Sequence, residues 1–236
     1  MTTAKNDHKN RRVSGLISAV SIIGLLSLLC GSARAAEISV IIKDSKQRSV
    51  HDTVVELVGT EAGSATAGPM EISQQGEEFE PLLSLIPRGS SVTFTNRDPF
   101  KHHVYSVSAG NEFDLPLFRD EPTSPVQFNT PGVVKMGCNI HDWMLAFGYV
   151  SEGADVVIAD SGGQARFSDL AGGEYRLKIW NPRLKNNRKI IVQNLSLAPG
   201  ESRVHEVEVS LRKTIRRPAR TPQGSDASKD RYGGNN

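Results

Sequence analysis

Cysteine is nearly absent from this chain. There are two, Cys30 and Cys138, and Cys30 sits inside an N-terminal stretch that reads as a removable export signal. Losing it leaves Cys138 alone, so no internal disulfide can staple the mature fold. A single thiol in an exported protein is incidental, intermolecular or chemical, and its neighbours decide which. Aromatic residues are also sparse, at 6%. No basic face carries them in the interleaved pattern that grips bases, which argues against a nucleic-acid partner. Helical periodicity is missing before Val150. The apolar run from Val13 to Leu29 is diluted with Ser and Gly and falls short of the ~20 residues of a membrane-spanning helix.

What is present begins with that run. Lys5, Lys9, Arg11 and Arg12 precede it, and Ala33-Arg34-Ala35 follows as a cleavage site before Ala36. Residues 1–35 thus read as a cleaved signal peptide and imply a periplasmic protein with no stable membrane span, an uncleaved anchor being the alternative. Arg11-Arg12 lacks the apolar residues that follow a twin-arginine pair, and bulky Leu29 precedes Cys30 where a lipid-modified cysteine needs a small residue. Cleavage turns the precursor's net charge of +2 into about −2. Residues 212–236 hold seven basic groups against two acidic ones, which leaves an acidic body and a basic tail without apolar residues to bury. Disorder is expected for the tail.

Between signal and tail the pattern is of short strands and turns. Ile38, Val40 and Ile42 alternate, then Val54 to Val58, with a Gly/Ala/Ser/Thr loop from Thr60 to Pro69. Further short strands are expected over 79–86 (interrupted by Pro81), 91–95, 104–107, 126–128, 133–136 and 146–150. This spacing predicts an all-β sandwich or barrel over 36–150. A second, smaller β unit over 151–211 is expected from Val156-Val157-Ile158, the turn at Asp160-Ser161-Gly162-Gly163, the alternation of Tyr175, Leu177 and Ile179, and the runs 190–197 and 204–211. About 60 residues make a marginal core alone, so this unit is expected to pack against the first.

The chemistry concentrates in Cys138-Asn139-Ile140-His141-Asp142-Trp143-Met144. Thiolate, imidazole and thioether are soft and borderline ligands that suit copper, and a blue-copper centre needs one Cys, two His and a weak axial Met. The loop supplies three of the four. The second His is offered by the run Asn96-Arg97-Asp98-Pro99-Phe100-Lys101-His102-His103-Val104-Tyr105, where His102 and His103 are adjacent candidates. Alternation places His102 on the face of Val104, which looks inward. Phe100, Met136, Ile140, Trp143 and Phe147 are candidates for an apolar surround. Trp143 reads equally as a docking surface, part of an electron path or a packed core residue, and Asp142 as a solvated loop carboxylate. Asp114 reads as a turn or hydrogen-bonding residue, and His51 and His205 as surface histidines.

The spacing C-x2-H-x2-M and the Asn-x-Asp-Pro-x-x-His-x-Val run resemble the ligand loops of amicyanin-type cupredoxins, and Pro131-Gly132 before the Cys strand fits plastocyanin-like domains. The resemblance implies a Greek-key sandwich with one type 1 copper held by His102, Cys138, His141 and Met144. It implies electron transfer to a protein partner, with His141 as electron port and no enzymatic activity. A copper carrier or sensor and an envelope interaction protein are the alternatives. His103 stands where such proteins usually carry Asn, a departure that bears on loop rigidity and could put a titrating group beside the metal. The segment with Gly163-x-Ala-x-Phe167-x-x-Leu170 and Gly173-x-Tyr175-x-Leu177-x-x-Trp180-x-Pro182 resembles a carboxypeptidase-regulatory-like (transthyretin-like) sandwich, which implies an accessory or docking module.

Overall fold

Alternation in the first apolar segment does what it predicts: β1 (Ala36–Asp44) buries every second residue, Ile38, Val40 and Ile42 among them. The computed structural model describes residues 1–2, 35–59, 65–186 and 189–213. The expected signal helix and cleavage site, the opening of the loop at 60–64 and the tail beyond 213 lie outside the described residues. Among those described the architecture is all-β, and no helix is long and apolar enough to cross a membrane.

After β2 (Val54–Gly59) come β3 (Pro69–Gln75), β4 (Glu78–Glu80), β5 (Leu83–Pro87), β6 (Ser90–Asn96), β7 (Tyr105–Ser108) and β8 (Asn111–Asp114). β9 (Val126–Phe128), β10 (Gly132–Gly137) and β11 (Leu145–Ser151) complete the first group. They form a four-stranded sheet, β4-β3-β6-β9, and a five-stranded one, β5-β11-β10-β7-β8. Ile72, Phe79, Val92, Phe94, Phe128, Val134 and Met136 fill the space between them.

The second group adds β12 (Asp155–Ile158), β13 (Gln164–Leu170), β14 (Gly173–Trp180), β15 (Ile191–Leu197) and β16 (Ser202–Val209). Here the structure differs from the sequence reading, which placed β1 and β2 at the start of the first unit. β1 lies between β13 and β16, antiparallel to one and parallel to the other. β2 lies between β12 and β14. The physical reason is the small size of the 151–211 segment. Its strands reach an adequate core by taking two apolar strands from the start of the chain, and Ile38, Ile42, Val55 and Leu57 pack there with Phe167, Leu177, Ile179 and Trp180.

The two sandwiches share β11, whose seven residues are all buried. Ala146 and Val150 face the first core, while Leu145, Phe147 and Tyr149 face the second. Gly148 is needed between them, because a Cβ there would lie 2.7 Å from Ile86 Cδ1. Below β11 the carboxylate of Glu56 on β2 is fully buried. It accepts the Tyr149 hydroxyl at 2.8 Å and the backbone N–H of Gly153 at 2.9 Å, and pairs with Lys178 at 3.6 Å.

Candidate metal centre

The sulfur loop is the connection of a hairpin. β10 and β11 pair up to Gly137 and Leu145, so 138–144 must turn the chain within seven residues, and Met144 N–H closes it on the His141 carbonyl at 2.9 Å. The upstream loop is brought alongside by β7, in which Tyr105 pairs with Gly137. Residues just before Tyr105 therefore lie beside Cys138.

His102 is the imidazole delivered. Its backbone is held from both sides by Phe118, N–H to O at 3.0 Å and O to N–H at 2.9 Å. The ring is fully buried, and its Nδ1 lies 3.1 Å from His141 Nδ1. Cys138 Sγ is 3.8 Å from that same His141 nitrogen, and one donor atom from each of the three residues falls within 4.8 Å of the others. Met144 is buried at the end of the loop in the same core as Cys138. His103 turns elsewhere: its Nε2 pairs with Asp114 at 2.7 Å, and its ring lies against Tyr105.

Asp98 is the residue that the sequence reading passed over. Its carboxylate accepts the N–H of Gly76 at 2.7 Å and of Glu77 at 3.0 Å, and lies 2.7 Å from His102 Nε2. Burial pushes its pKa up, but the hydrogen bonds from Glu77, His102 and Gly76 outweigh that and hold it below the usual carboxylate range. An ionised carboxylate only accepts, so His102 Nε2 carries the proton and Nδ1 presents its lone pair to Cys138 and His141. The Asp98 N–H is itself bound by Asn96 Oδ1 at 2.9 Å, a local Asx turn. The only sequence signal for the pair is its four-residue spacing, because a loop carboxylate is otherwise indistinguishable from a solvated one.

Burial pushes the Cys138 thiol up, against hydrogen bonds from the backbone of His103, Ile140 and His141 that favour the thiolate. Phe100 packs edge-on against both His102 and His141, and Trp143 against His141. Met136 and Ile140 belong to the same core. Phe147 does not, since it faces the second sandwich and packs on Trp180. Asp142 is exposed. His51 is exposed and pairs with Asp52, while His205 is half-buried and bonds Gln193.

Two imidazole nitrogens with lone pairs free to converge, one buried sulfur and a neighbouring thioether make a set that suits copper rather than the hard, oxygen-seeking cations. No family model matches the chain. Amicyanin-alpha from Methylorubrum extorquens is 35% identical over 83 residues, which cover 34% of this chain and 70% of that protein. The chain belongs to the amicyanin family. Amicyanin homology supports the cupredoxin reading of the first sandwich. Among solved structures, a purple cupredoxin from Nitrosopumilus maritimus is 26% identical with a TM-score of 0.32, over 35% of this chain and 99% of that one. A copper-containing nitrite reductase from Thermus scotoductus, at 24% and 0.35, matches 41% of this chain and 25% of its own. The reduced Cu(I) form of an amicyanin variant, at 19% and 0.33, matches 41% of this chain and 98% of its own. In this family member the matched length is about a third of the chain, so the second sandwich has no counterpart in the curated relative.

Proposed function

We propose that this protein is a periplasmic type 1 copper protein that carries single electrons between redox partners. The observation that carries the reading is the convergence of His102 Nδ1, His141 Nδ1 and Cys138 Sγ in a buried pocket. His102, His141 and Cys138 would hold the metal, with Met144 as the weak axial donor. Copper bound there would supply a one-electron couple between Cu(I) and Cu(II). The protein's part is to keep the donors in one arrangement for both states. Thiolate and thioether suit the reduced ion, imidazole suits both, and the hairpin and the Phe118 clamp leave little freedom to rearrange. Phe100, Trp143, Ile140 and Met136 limit the access of water.

His141 is half-buried while His102 is fully enclosed, which supports His141 as the side through which electrons pass. The second sandwich is proposed as an accessory module, in keeping with its resemblance to carboxypeptidase-regulatory-like domains. Repeated oxidation and reduction by a small redox reagent at constant copper content tests the carrier role. The ion should stay bound through many cycles. Its transfer to a metal-free acceptor on reduction would point to a copper carrier instead.

A second test addresses Asp98. Asp98→Asn keeps the size but removes the obligate acceptor, so both tautomers of His102 become accessible. Copper affinity measured by competition with a chelator should fall by about 10–100-fold, the usual cost of losing such a partner. An unchanged affinity would mean that the carboxylate does not orient the ring.

A further inference from the structure

Gln74 is an oddity in its strand. On β3 it shares a face with Met70 and Ile72, which pack into the first core, yet its side chain is an amide and is fully buried. Its Oε1 is buried without a hydrogen-bond partner. Its Nε2 donates to the carbonyl of His103 at 3.3 Å. A backbone carbonyl only accepts, so the NH2 end must face it, and the oxygen is left where nothing donates to it. An unmet buried acceptor is unfavourable, and an apolar side chain at this position would avoid it. What offsets it is the single bond to His103.

His103 is where that bond matters. One side of its backbone gives a hydrogen bond to the Cys138 sulfur, and the other receives Gln74. The hairpin that carries Gln74 also reaches the neighbouring ligand, because its turn at Gly76 and Glu77 binds the Asp98 carboxylate that holds His102. Gly76 and Glu77 both have positive φ, 62° and 59°, which aims their N–H groups together at that carboxylate.

We infer that Gln74 is a positioning residue for the sulfur: by anchoring the His103 carbonyl it fixes the His103 peptide, so that its N–H stays directed at Cys138 Sγ. A hydrogen bond to the sulfur withdraws electron density from it, and this is one of the levers that set the potential of a copper–thiolate site. The consequence for potential rests on the copper reading of the site, whereas the anchoring does not.

The test uses the full chain with Gln74→Met, which keeps length and unbranched shape but has no donor. Amide hydrogen exchange is read residue by residue in the metal-free protein, so its result stands whether or not copper binds. The reduction potential is then read on the copper-loaded protein. In the wild type, His103 N–H should exchange slowly. In the variant it should exchange at least tenfold faster while the amides of β11 keep their rates, and the loaded variant should have the lower potential. A wild-type His103 rate already as fast as an unprotected peptide overturns the inference even if the variant does not fold. So does an unchanged His103 rate in a folded variant. Faster exchange with an unchanged or higher potential would overturn the link to the sulfur.

Discussion

Cys138→Ser should abolish the visible charge-transfer absorption of the copper-loaded protein and weaken copper binding by more than the about 10–100-fold that follows loss of an outer partner such as Asp98. Serine nearly matches cysteine in volume, and the site is buried and walled by Met136, Ile140 and Met144. The fold should therefore persist, with an unfolding midpoint close to that of the parent. The chemistry cannot persist. A serine hydroxyl is not ionised near neutral pH and is a hard donor, so it supplies neither the anionic charge nor the soft match to Cu(I). Backbone hydrogen bonds from His103, Ile140 and His141 that now favour a thiolate would fall on a neutral oxygen. A variant that kept an intense band would show that the thiolate is not the chromophore, and the ligand assignment would fail with it.

Removing Glu56 should cost the fold about as much as breaking a buried ion pair usually does, ~3–5 kcal/mol. Glu56→Ala would leave the Tyr149 hydroxyl, the N–H groups of Glu152 and Gly153, and one contact of Lys178 facing a cavity. All of these groups lie beneath β11, the strand common to both cores. Lys178 keeps its second partner, Glu152, which sets a limit to the loss. Urea denaturation should show the shift in midpoint. A double-mutant cycle with Tyr149→Phe should show non-additivity, since both changes remove the same 2.8 Å bond. The ligand loop hangs from the opposite end of β11, so bound copper should keep its spectrum in Glu56→Ala. Loss of the spectrum together with stability would mean that the two sandwiches cannot loosen independently of the site.

Different parts of this structure were legible in the sequence to different degrees, for physical reasons. Cys138, His141 and Met144 lie on one short hairpin connection, where spacing along the chain is nearly spacing in space. His102 was readable because alternation with Val104 sends it inward, and the His102 Nδ1 contact with His141 agrees with that. The partners of β1 and β2 were not readable. Alternation says which face of a strand is buried, and is silent on which strand lies alongside. β3 and β8 were missed because their apolar residues are few and polar Ser73, Gln74 and Asn111 are buried among them. Phe147 was assigned to the wrong core because β11, buried on both faces, has no alternation to read. Asp98 escaped because its role depends on the turn at Gly76, more than twenty residues upstream.

The most direct test of the central claim is a copper titration of the metal-free mature protein, with Cys138 reduced, followed by visible absorption and electron spin resonance. Convergence of His102, Cys138 and His141 on one ion predicts a strong visible band that grows to a single equivalent, with a matching Cu(II) resonance, and both vanish on reduction and return on oxidation. Saturation of the protein with copper and only a weak band, or with no band at all, would contradict it.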